Sequence, residues 1–281
     1  MKLATDIWSV VRNYGEEKAL EMVKKAGYDG VDYSFFWTNP ADNILDDNYL
    51  ERAENTKKLL EKYDLVCNQV HAPFGSTKFK SPMDCSHREY KGIVRSLEYA
   101  SILGAQHAVI HSVAVPMGID TVAHNVKYYK SFEPYAKQFG IKIAVENLFP
   151  AGMLSTPKLL NAALEQLDPE WFVALLDVGH SNINHVAPES YIRNILPGRL
   201  QGLHLHDNNG QVDQHLAPYL GNIQWDYVLE ALAETNYPGD FTMETCAGFV
   251  SRYDPKYYAE ALTFCASLGR SMMAQLEAMK R

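Results

Sequence analysis

The stretch KIAVENLFPAGMLSTPKLLNAALEQLDPEWFVALLDVGH, residues 142–180, carries the pattern that decides the fold. It begins with a short apolar run, continues with a longer segment whose apolar residues have helical spacing, and ends with a second apolar run that stops at Asp177. Ser155 precedes the middle segment as a candidate cap, and Pro157 suits the first turn of a helix. A strand, a helix and a strand in this order predict two parallel strands that are joined by a right-handed crossover.

The same alternation runs along the rest of the chain. Strands are expected at Lys2–Ile7, Gly30–Phe36, Val66–His71, His107–Ser112, Lys142–Asn147, Phe172–Asp177, Leu200–His206 and Asp240–Glu244. Helices are expected at Glu16–Ala26, Asn48–Tyr63, Glu89–Leu103, the run from Ser155 to Leu167, Trp225–Thr235 and Tyr257–Met279. This reading rests on apolar periodicity and on cap residues.

An open, doubly wound sheet could show the same alternation of strands and helices. The number of strands, eight, and the absence of a GxGxxG motif after the first strand favour a barrel instead. The longest irregular stretches, near Trp37–Asp47, Phe74–His87 and Asp207–Ile223, each follow a strand, where the active-site loops of such barrels lie. We therefore predict that residues 1–281 form one domain, a single (β/α)₈ TIM barrel.

The composition is that of an ordinary globular protein, and it narrows the range of partners. The chain has 281 residues, a formal net charge of −8 and 47% apolar residues, without an apolar run long enough to span a membrane. The acidic balance argues against nucleic acid as a partner. The four cysteines form no CxxC pair and no export signal is visible, which favours a reducing cytoplasm. They are Cys67, Cys85, Cys246 and Cys265.

Residues that can bind a metal end six of the eight predicted strands. They are His71, His111, Glu146, Asp177 with His180, His204 and His206 with Asp207, and Glu244. An isolated charge is costly to bury unless it is paired or bound to a metal. A single strand-end histidine is usually a hydrogen-bonded structural residue, so the evidence lies in the set rather than in any one member. Because the carboxyl ends of barrel strands share one face, the set predicts one central site.

The types of ligand indicate a divalent ion. Three carboxylates, from Glu146, Asp177 and Glu244, together with one imidazole suit Mn²⁺, Mg²⁺ or Co²⁺, and additional histidines would favour Zn²⁺. His204 and His206 are two residues apart, so a regular strand would place both on one face. Strand parity alone therefore leaves open which of the two is the ligand.

The order and placement of these motifs resemble the xylose isomerase-like TIM-barrel superfamily, which includes ketose 3-epimerases, sugar isomerases, inosose dehydratases and the endonuclease IV family. The resemblance extends from GYDGVDYS, residues 27–34, to METC, residues 243–246. It implies a single site for one divalent ion, which is Mn²⁺, Mg²⁺, Co²⁺ or Zn²⁺. The ligands that it implies are Glu146, Asp177, His204 and Glu244.

The resemblance also implies roles for individual residues. In the epimerases a metal-ligating histidine stands three residues before an acid, and the match to His204 and Asp207 selects His204 over His206. The two glutamates of the family move the proton, and here they correspond to Glu146 and Glu244. His180, in the DxxH motif, is expected to contact the substrate.

Two features leave the reaction itself open. Gly152 and Gly210 stand where the ketose 3-epimerases place a glutamate and an arginine. All nine ligand positions of the trinuclear endonuclease IV site also have counterparts here. The five beyond the single-ion set are His71, His111, His180, Asp213 and His215. The acidic balance and the opening strand resemble the sugar-isomerase-like members instead.

We therefore predict a metal-dependent isomerase or epimerase that acts on a small sugar or polyol through an enediolate, with Glu146 and Glu244 as acid and base. The alternatives are a zinc phosphodiesterase of the endonuclease IV type and a barrel that binds without catalysis. His71, His111, His180, Asp213 and His215 are expected to contact the substrate, and Trp8, Phe36 and Trp37 to form an apolar wall. The identity of the sugar, its phosphorylation and assembly into a homo-oligomer are left open.

Overall fold

A closed ring of parallel strands forms the centre of the protein. The computed structural model describes residues 1–36, 44–74, 88–149, 152–250 and 252–280, without the side chains of Phe36 and Val250. The strands are β1 (Leu3–Asp6), β2 (Gly30–Phe36), β3 (Val66–Phe74), β4 (His107–Ile110), β5 (Lys142–Glu146), β6 (Phe172–Asp177), β7 (Leu200–His204) and β8 (Phe241–Met243).

The strands pair in the order β7-β6-β5-β4-β3-β2-β1-β8, and every pair is parallel. Leu205, directly after β7, closes the ring, because its N–H donates to the Thr242 carbonyl over 2.8 Å. Its own carbonyl accepts from the Glu244 N–H over 3.1 Å. The predicted (β/α)₈ TIM barrel is confirmed, and the doubly wound alternative is excluded.

Helices cover the outside of the ring. In the described part of the chain they are α1 (Trp8–Tyr14), α2 (Glu16–Ala26), α3 (Tyr49–Lys62), α4 (Arg88–Leu103), α5 (Thr121–Lys130), α6 (Glu133–Phe139), α7 (Pro157–Leu164), α8 (Val178–Ile183), α9 (Pro188–Asn194), α10 (Trp225–Glu234), α11 (Cys246–Val250) and α12 (Tyr258–Met279). None of the described helices is both long and apolar enough to cross a membrane.

The predicted helix cap at Ser155 is wrong. Thr156 caps α7 instead, since its side-chain oxygen accepts the Leu159 N–H over 3.4 Å. Thr156 stands directly before Pro157, the first residue of α7, and its extended backbone is the usual conformation of a cap residue. The helix also ends at Leu164 rather than at the predicted Leu167.

The inside of the ring has an apolar floor and, above it at the carboxyl ends of the strands, a polar mouth. The floor is formed by the buried residues Val109, Ala144, Val173 and Leu175. Successive residues of a strand face opposite sides, so Glu146 projects to the same side as Ala144, and Asp177 to the same side as Leu175. Both acids therefore lie above the floor, where the strands end. Cys67, Cys246 and Cys265 are buried free thiols, while Cys85 lies outside the described residues.

Candidate functional site

Four side chains from neighbouring strands converge at the mouth of the barrel. They are Glu146, Asp177 and His204, which end β5, β6 and β7, and Glu244, which follows β8. The Nδ1 atom of His204 lies 3.4 Å from Glu146 Oε1, 3.7 Å from Asp177 Oδ2 and 3.3 Å from Glu244 Oε2. This buried nitrogen makes no hydrogen bond of suitable geometry with any described residue. An imidazole nitrogen together with the three carboxylates that it faces is a ligand set that fits a divalent ion. We call these four residues the central cluster.

A second set of ligands shares Glu146 with the central cluster. The Nε2 atoms of His71 and His111 lie 3.4 Å and 3.1 Å from Glu146 Oε2, and 3.0 Å from each other. His71 donates its Nδ1–H to the carbonyl of Ala72 over 2.9 Å, which leaves the Nε2 lone pair directed at Glu146. These three side chains, His71, His111 and Glu146, could hold a second ion.

A third set lies around Asp213 on the opposite side. Asp213 Oδ2 is 3.0 Å from His215 Nε2 and 3.6 Å from His180 Nε2. Both histidines donate Nδ1–H to backbone carbonyls, those of Glu244 over 2.8 Å and Asn147 over 2.9 Å. The structure thus brings together all nine residues of the single-ion and trinuclear sets at one end of the barrel.

His206 and Asp207 take positions that the sequence could not assign. His206 Nε2 lies 3.0 Å and 3.1 Å from the two carboxylate oxygens of Asp177, and its ring stacks on that of His215 with centres 4.1 Å apart. Asp207 points away from the mouth and accepts the Asn208 N–H over 2.8 Å and the Trp225 Nε1–H over 2.8 Å. It therefore anchors the loop beyond β7 and is placed to bind neither ion nor substrate.

Asp32 contacts the central cluster, although its place within a strand does not mark it as a strand-end residue. It lies inside β2 and is 1% exposed, and its Oδ2 is 3.2 Å from His204 Nε2. Gln69, from β3, donates its side-chain N–H to the same oxygen over 2.8 Å. A signal was available in GVDYS, where an acid interrupts a strand that is otherwise buried.

Burial and neighbouring charges set the pKa values of the two central glutamates apart. Burial raises the pKa of Glu146, but the imidazoles of His111 and His204 outweigh this effect and hold it well below its usual range. For Glu244, burial dominates, and the carboxylates of Asp177 and Glu146 add to it, so the pKa is well above its usual range despite two nearby imidazoles. A cation at the central cluster would relieve the repulsion among these carboxylates.

Two aromatic side chains at the mouth contact histidines of the site. Phe74 stacks on His111 with ring centres 4.2 Å apart, and Phe149, which is 38% exposed, meets His180 edge-on at 5.1 Å. Trp8 begins α1 directly beyond β1, where the Arg12 guanidinium lies 5.5 Å from its ring centre. Of the other predicted wall residues, Trp37 and the side chain of Phe36 lie outside the described residues.

Sequence comparison identifies relatives along most of the chain. Residues 20–268 match the family described as the xylose isomerase-like TIM barrel. An uncharacterised protein of Methanocaldococcus jannaschii is 30% identical over 206 residues, which cover 68% of this chain and 69% of that protein. The 2-oxo-tetronate isomerase of Haemophilus influenzae is 26% identical over 240 residues, which cover 78% of this chain and 83% of the enzyme.

Solved structures agree with this assignment at the level of the fold. A D-tagatose 3-epimerase-like protein superimposes with a TM-score of 0.77 at 22% identity, covering 100% of this chain and 98% of its own. The IolI protein, solved with a zinc atom bound, superimposes with a TM-score of 0.74 at 17% identity over 98% of both chains. Because the family match covers residues 20–268, which include seven of the eight barrel strands, the chain belongs to the xylose isomerase-like TIM-barrel family.

Proposed function

We propose that the protein is a divalent-metal-dependent isomerase or epimerase of a small sugar or polyol. The observation that carries the proposal is the central cluster, in which the buried Nδ1 of His204 faces Glu146, Asp177 and Glu244 at 3.3–3.7 Å. The isomerase activity of the Haemophilus relative and the zinc atom of the IolI structure support the reaction class and the metal.

The two glutamates divide the proton transfer between them. An ion held by the central cluster, Mn²⁺, Mg²⁺, Co²⁺ or Zn²⁺, would supply Lewis-acid polarisation of the carbonyl and hydroxyl oxygens of the substrate. One of Glu146 and Glu244 takes the proton from the carbon beside the carbonyl, and the C–H electron pair passes into an enediolate. The other glutamate returns a proton to carbon, so no oxidant or reductant is consumed.

The remaining residues of the mouth orient the substrate. His180 and His215 donate Nδ1–H to backbone carbonyls and direct Nε2 at the Asp213 carboxylate, so these three side chains together offer donors and acceptors for a substrate hydroxyl. Phe74 and Phe149 supply apolar surface against which the carbon face of a sugar can pack.

Deuterium exchange tests the proposal directly. The protein, loaded with Mn²⁺, is incubated in D₂O with a panel of ketoses, aldoses and inososes. Incorporation of deuterium into at least one class of sugar is expected, and it should stop when the ion is removed by a chelator. A metal-loaded, folded protein that exchanges no carbon-bound proton in any class would contradict an isomerase that works through an enediolate.

A zinc phosphodiesterase is the second candidate. The observation that favours it is the pair of additional ligand sets, His71 with His111 on Glu146, and Asp213 between His180 and His215. Three zinc ions would suit an anionic phosphate, whereas the net charge of −8 disfavours a polyanionic substrate. Zinc analysis combined with a salt titration of DNA binding separates this candidate from the isomerase.

A further inference from the structure

We propose that Asp32 is a positioning residue that fixes the orientation and the tautomer of His204 for metal binding. The inference rests on the proposed function, because it concerns the ion that the central cluster would hold. It extends that function to a residue that contacts neither the ion nor the substrate. It also predicts which of the ligand sets at the mouth binds an ion most tightly.

The carboxylate of Asp32 is directed at the Nε2 atom of His204. The side chain is 1% exposed, and its Oδ2 lies 3.2 Å from His204 Nε2, on the far side of the imidazole from the central cluster. The Ser34 hydroxyl donates to Oδ1 over 3.4 Å, and the Gln69 amide donates to Oδ2 over 2.8 Å. Hydrogen bonds to both carboxylate oxygens therefore fix the Asp32 side chain in the barrel interior.

A buried chain of hydrogen bonds fixes the Gln69 amide in turn. The His107 Nε2–H donates to Gln69 Oε1 over 3.1 Å, which directs the amide N–H groups of Gln69 towards Asp32. Burial lowers the pKa of His107 to about 4, so this histidine stays neutral near pH 7. His107 and Gln69 carry no charge. We therefore assign the imidazole of His204 as the group that balances the negative charge of Asp32.

The chemistry of imidazole then links Asp32 to the ion. A neutral imidazole carries one N–H and one lone pair, so the lone pair can face the central cluster only if the proton is on Nε2. Asp32 stabilises that tautomer by accepting the Nε2–H. The opposite tautomer, with Gln69 donating to Nε2 over their 2.7 Å separation, would point an N–H at the ion. A carboxylate behind a metal-bound histidine also raises the basicity of the ligand.

His204 differs in this respect from three other histidines at the mouth. His71, His180 and His215 are each held by a backbone carbonyl through Nδ1, at 2.8–2.9 Å, and present Nε2. Among these four described histidines, His204 alone presents Nδ1 and is backed by a charged carboxylate. Because a carboxylate polarises the imidazole more than a neutral carbonyl does, the first ion should bind at the central cluster.

Asp32→Asn tests the inference with the metal as the readout. Zn²⁺ affinity is measured by competition with a chromogenic chelator, and folding by circular dichroism and thermal unfolding. The dissociation constant of the tightest ion is expected to rise about 10- to 100-fold. Asp207→Asn is the matched control, since Asp207 is also a buried carboxylate, but the groups described as donating to it are the Asn208 and Ile223 N–H groups and the Trp225 indole of the loop beyond β7. It should lower thermal stability and leave the dissociation constant within about threefold.

A wild-type measurement keeps the inference testable if Asp32→Asn fails to fold. Long-range ¹H–¹⁵N NMR of the zinc-loaded protein reports which ring nitrogen carries the proton. Nε2–H is expected for His204 and Nδ1–H for His71, His180 and His215. Nδ1–H on His204, or unchanged zinc affinity in folded Asp32→Asn, would overturn the role of Asp32 alone. A wild-type protein that binds no divalent ion below millimolar concentration would instead overturn the proposed function and, with it, this inference.

Discussion

The two ring nitrogens of His204 face different groups of carboxylates. Its Nδ1 faces three carboxylates, whereas its Nε2 faces the single carboxylate of Asp32. An imidazole with both nitrogens protonated would satisfy all of these groups in the metal-free protein, and the surrounding carboxylates hold the pKa of His204 well above its usual value despite burial. Metal binding must therefore displace a proton from Nδ1, which makes metal affinity depend on pH.

Substitution of the two central glutamates tests their role in proton transfer. Glu146→Gln and Glu244→Gln should each lower the rate of deuterium exchange about 10²- to 10⁴-fold, because each removes a group that accepts or donates the proton. The measurement is exchange into the best substrate of the panel, with bound metal and circular dichroism as controls. A folded variant that keeps more than about a tenth of wild-type exchange would show that its glutamate is neither the acid nor the base.

His204 and His206 should differ in what their loss does to the metal. His206 meets the two oxygens of Asp177 through Nε2 at 3.0–3.1 Å, so we expect it to orient this ligand rather than to bind the ion. His206→Asn should retain one ion per chain at reduced affinity, and His204→Asn should lose it. Elemental analysis after gel filtration measures both. The reverse result would show that the histidine selected on strand β7 is the wrong one.

The carboxyl group of Asp6 should make the stability of the metal-free protein depend on pH. Asp6 ends β1 and accepts the Cys246 N–H over 3.1 Å, and burial raises its pKa from 3.8 to about 6. Since the folded pKa exceeds the unfolded one, this group stabilises the fold most below its unfolded pKa, and the contribution is lost as pH rises through about 6.

Asp6→Asn removes the cost of ionising this buried group while its amide oxygen can still accept the Cys246 N–H. The free energy of unfolding at pH 8 should rise by up to about 3 kcal/mol and change little at pH 4. Urea unfolding of the chelator-treated protein at both pH values measures the difference. An equal effect at the two pH values would mean that packing, and not ionisation, is the cause.

The sequence predicts that the proposed metal ligands converge. It does not show which other residues hydrogen-bond to these ligands and orient them. Glu146, Asp177 and His204 each end an apolar strand, and all strands of such a barrel end at one face. Asp32 lies within a strand, and its partners Gln69 and His204 are distant in sequence, so only the folded barrel shows the contact. Phe149 lies in a loop, where an aromatic residue has no periodic signal, and Phe74 lies three residues beyond the end predicted for the third strand.

At the scale of elements, α8 shows how closely the backbone approaches the site. The helix begins directly after Asp177, whose side chain accepts the His180 N–H over 2.6 Å and so caps the helix. Gly179, in its first turn, lies against His206, and a β-carbon there would be 2.0 Å from His206 Cε1. The glycine is therefore required for the contact between His206 and Asp177.

Gly179→Ala should disturb the site without removing any ligand. The added methyl group would displace the His206 ring and, with it, the Asp177 carboxylate, at a cost of about 1–3 kcal/mol from overpacking. We expect zinc affinity to fall about tenfold, as is usual when a partner of a metal ligand is lost. Ser181→Ala is the control in the same helix, because the described bond of the Ser181 hydroxyl goes to the Val186 carbonyl and not to a residue of the site. Wild-type affinity in a folded Gly179→Ala protein would contradict this account.

The sequence predicted long elements better than short ones. The range of α2, Glu16–Ala26, agrees at both ends, and every strand was placed within three residues of its observed ends. Helices of five to seven residues, such as α8 and α9, were not predicted, because two turns or fewer do not establish a helical period. The cap at Thr156 was assigned to its neighbour because both residues are of a type that caps helices.

At the scale of the whole molecule, the arrangement of charge around the mouth decides how many ions the barrel can hold. Four carboxylates, those of Glu146, Asp177, Asp213 and Glu244, contribute about −4 against about +6 for three zinc ions. A hydroxide and a substrate phosphate could close this difference, whereas a neutral sugar could not. The outer sets also rely on backbone carbonyls behind His71, His180 and His215, while the central cluster has Asp32.

We therefore expect one tight ion, at the central cluster, and any further ions to bind at least about 100-fold more weakly, since backbone carbonyls and not a carboxylate hold His71, His180 and His215. Elemental analysis of protein purified without chelator should give about one ion per chain. In a zinc titration, thermal stability should rise steeply up to one equivalent and only slightly beyond it, because an ion stabilises the fold according to its affinity. Close to three zinc ions per chain, together with DNA binding that weakens with salt, would instead establish the phosphodiesterase. Three ions without DNA binding would contradict only the order of affinities, because proton exchange on sugars could still depend on the first of them.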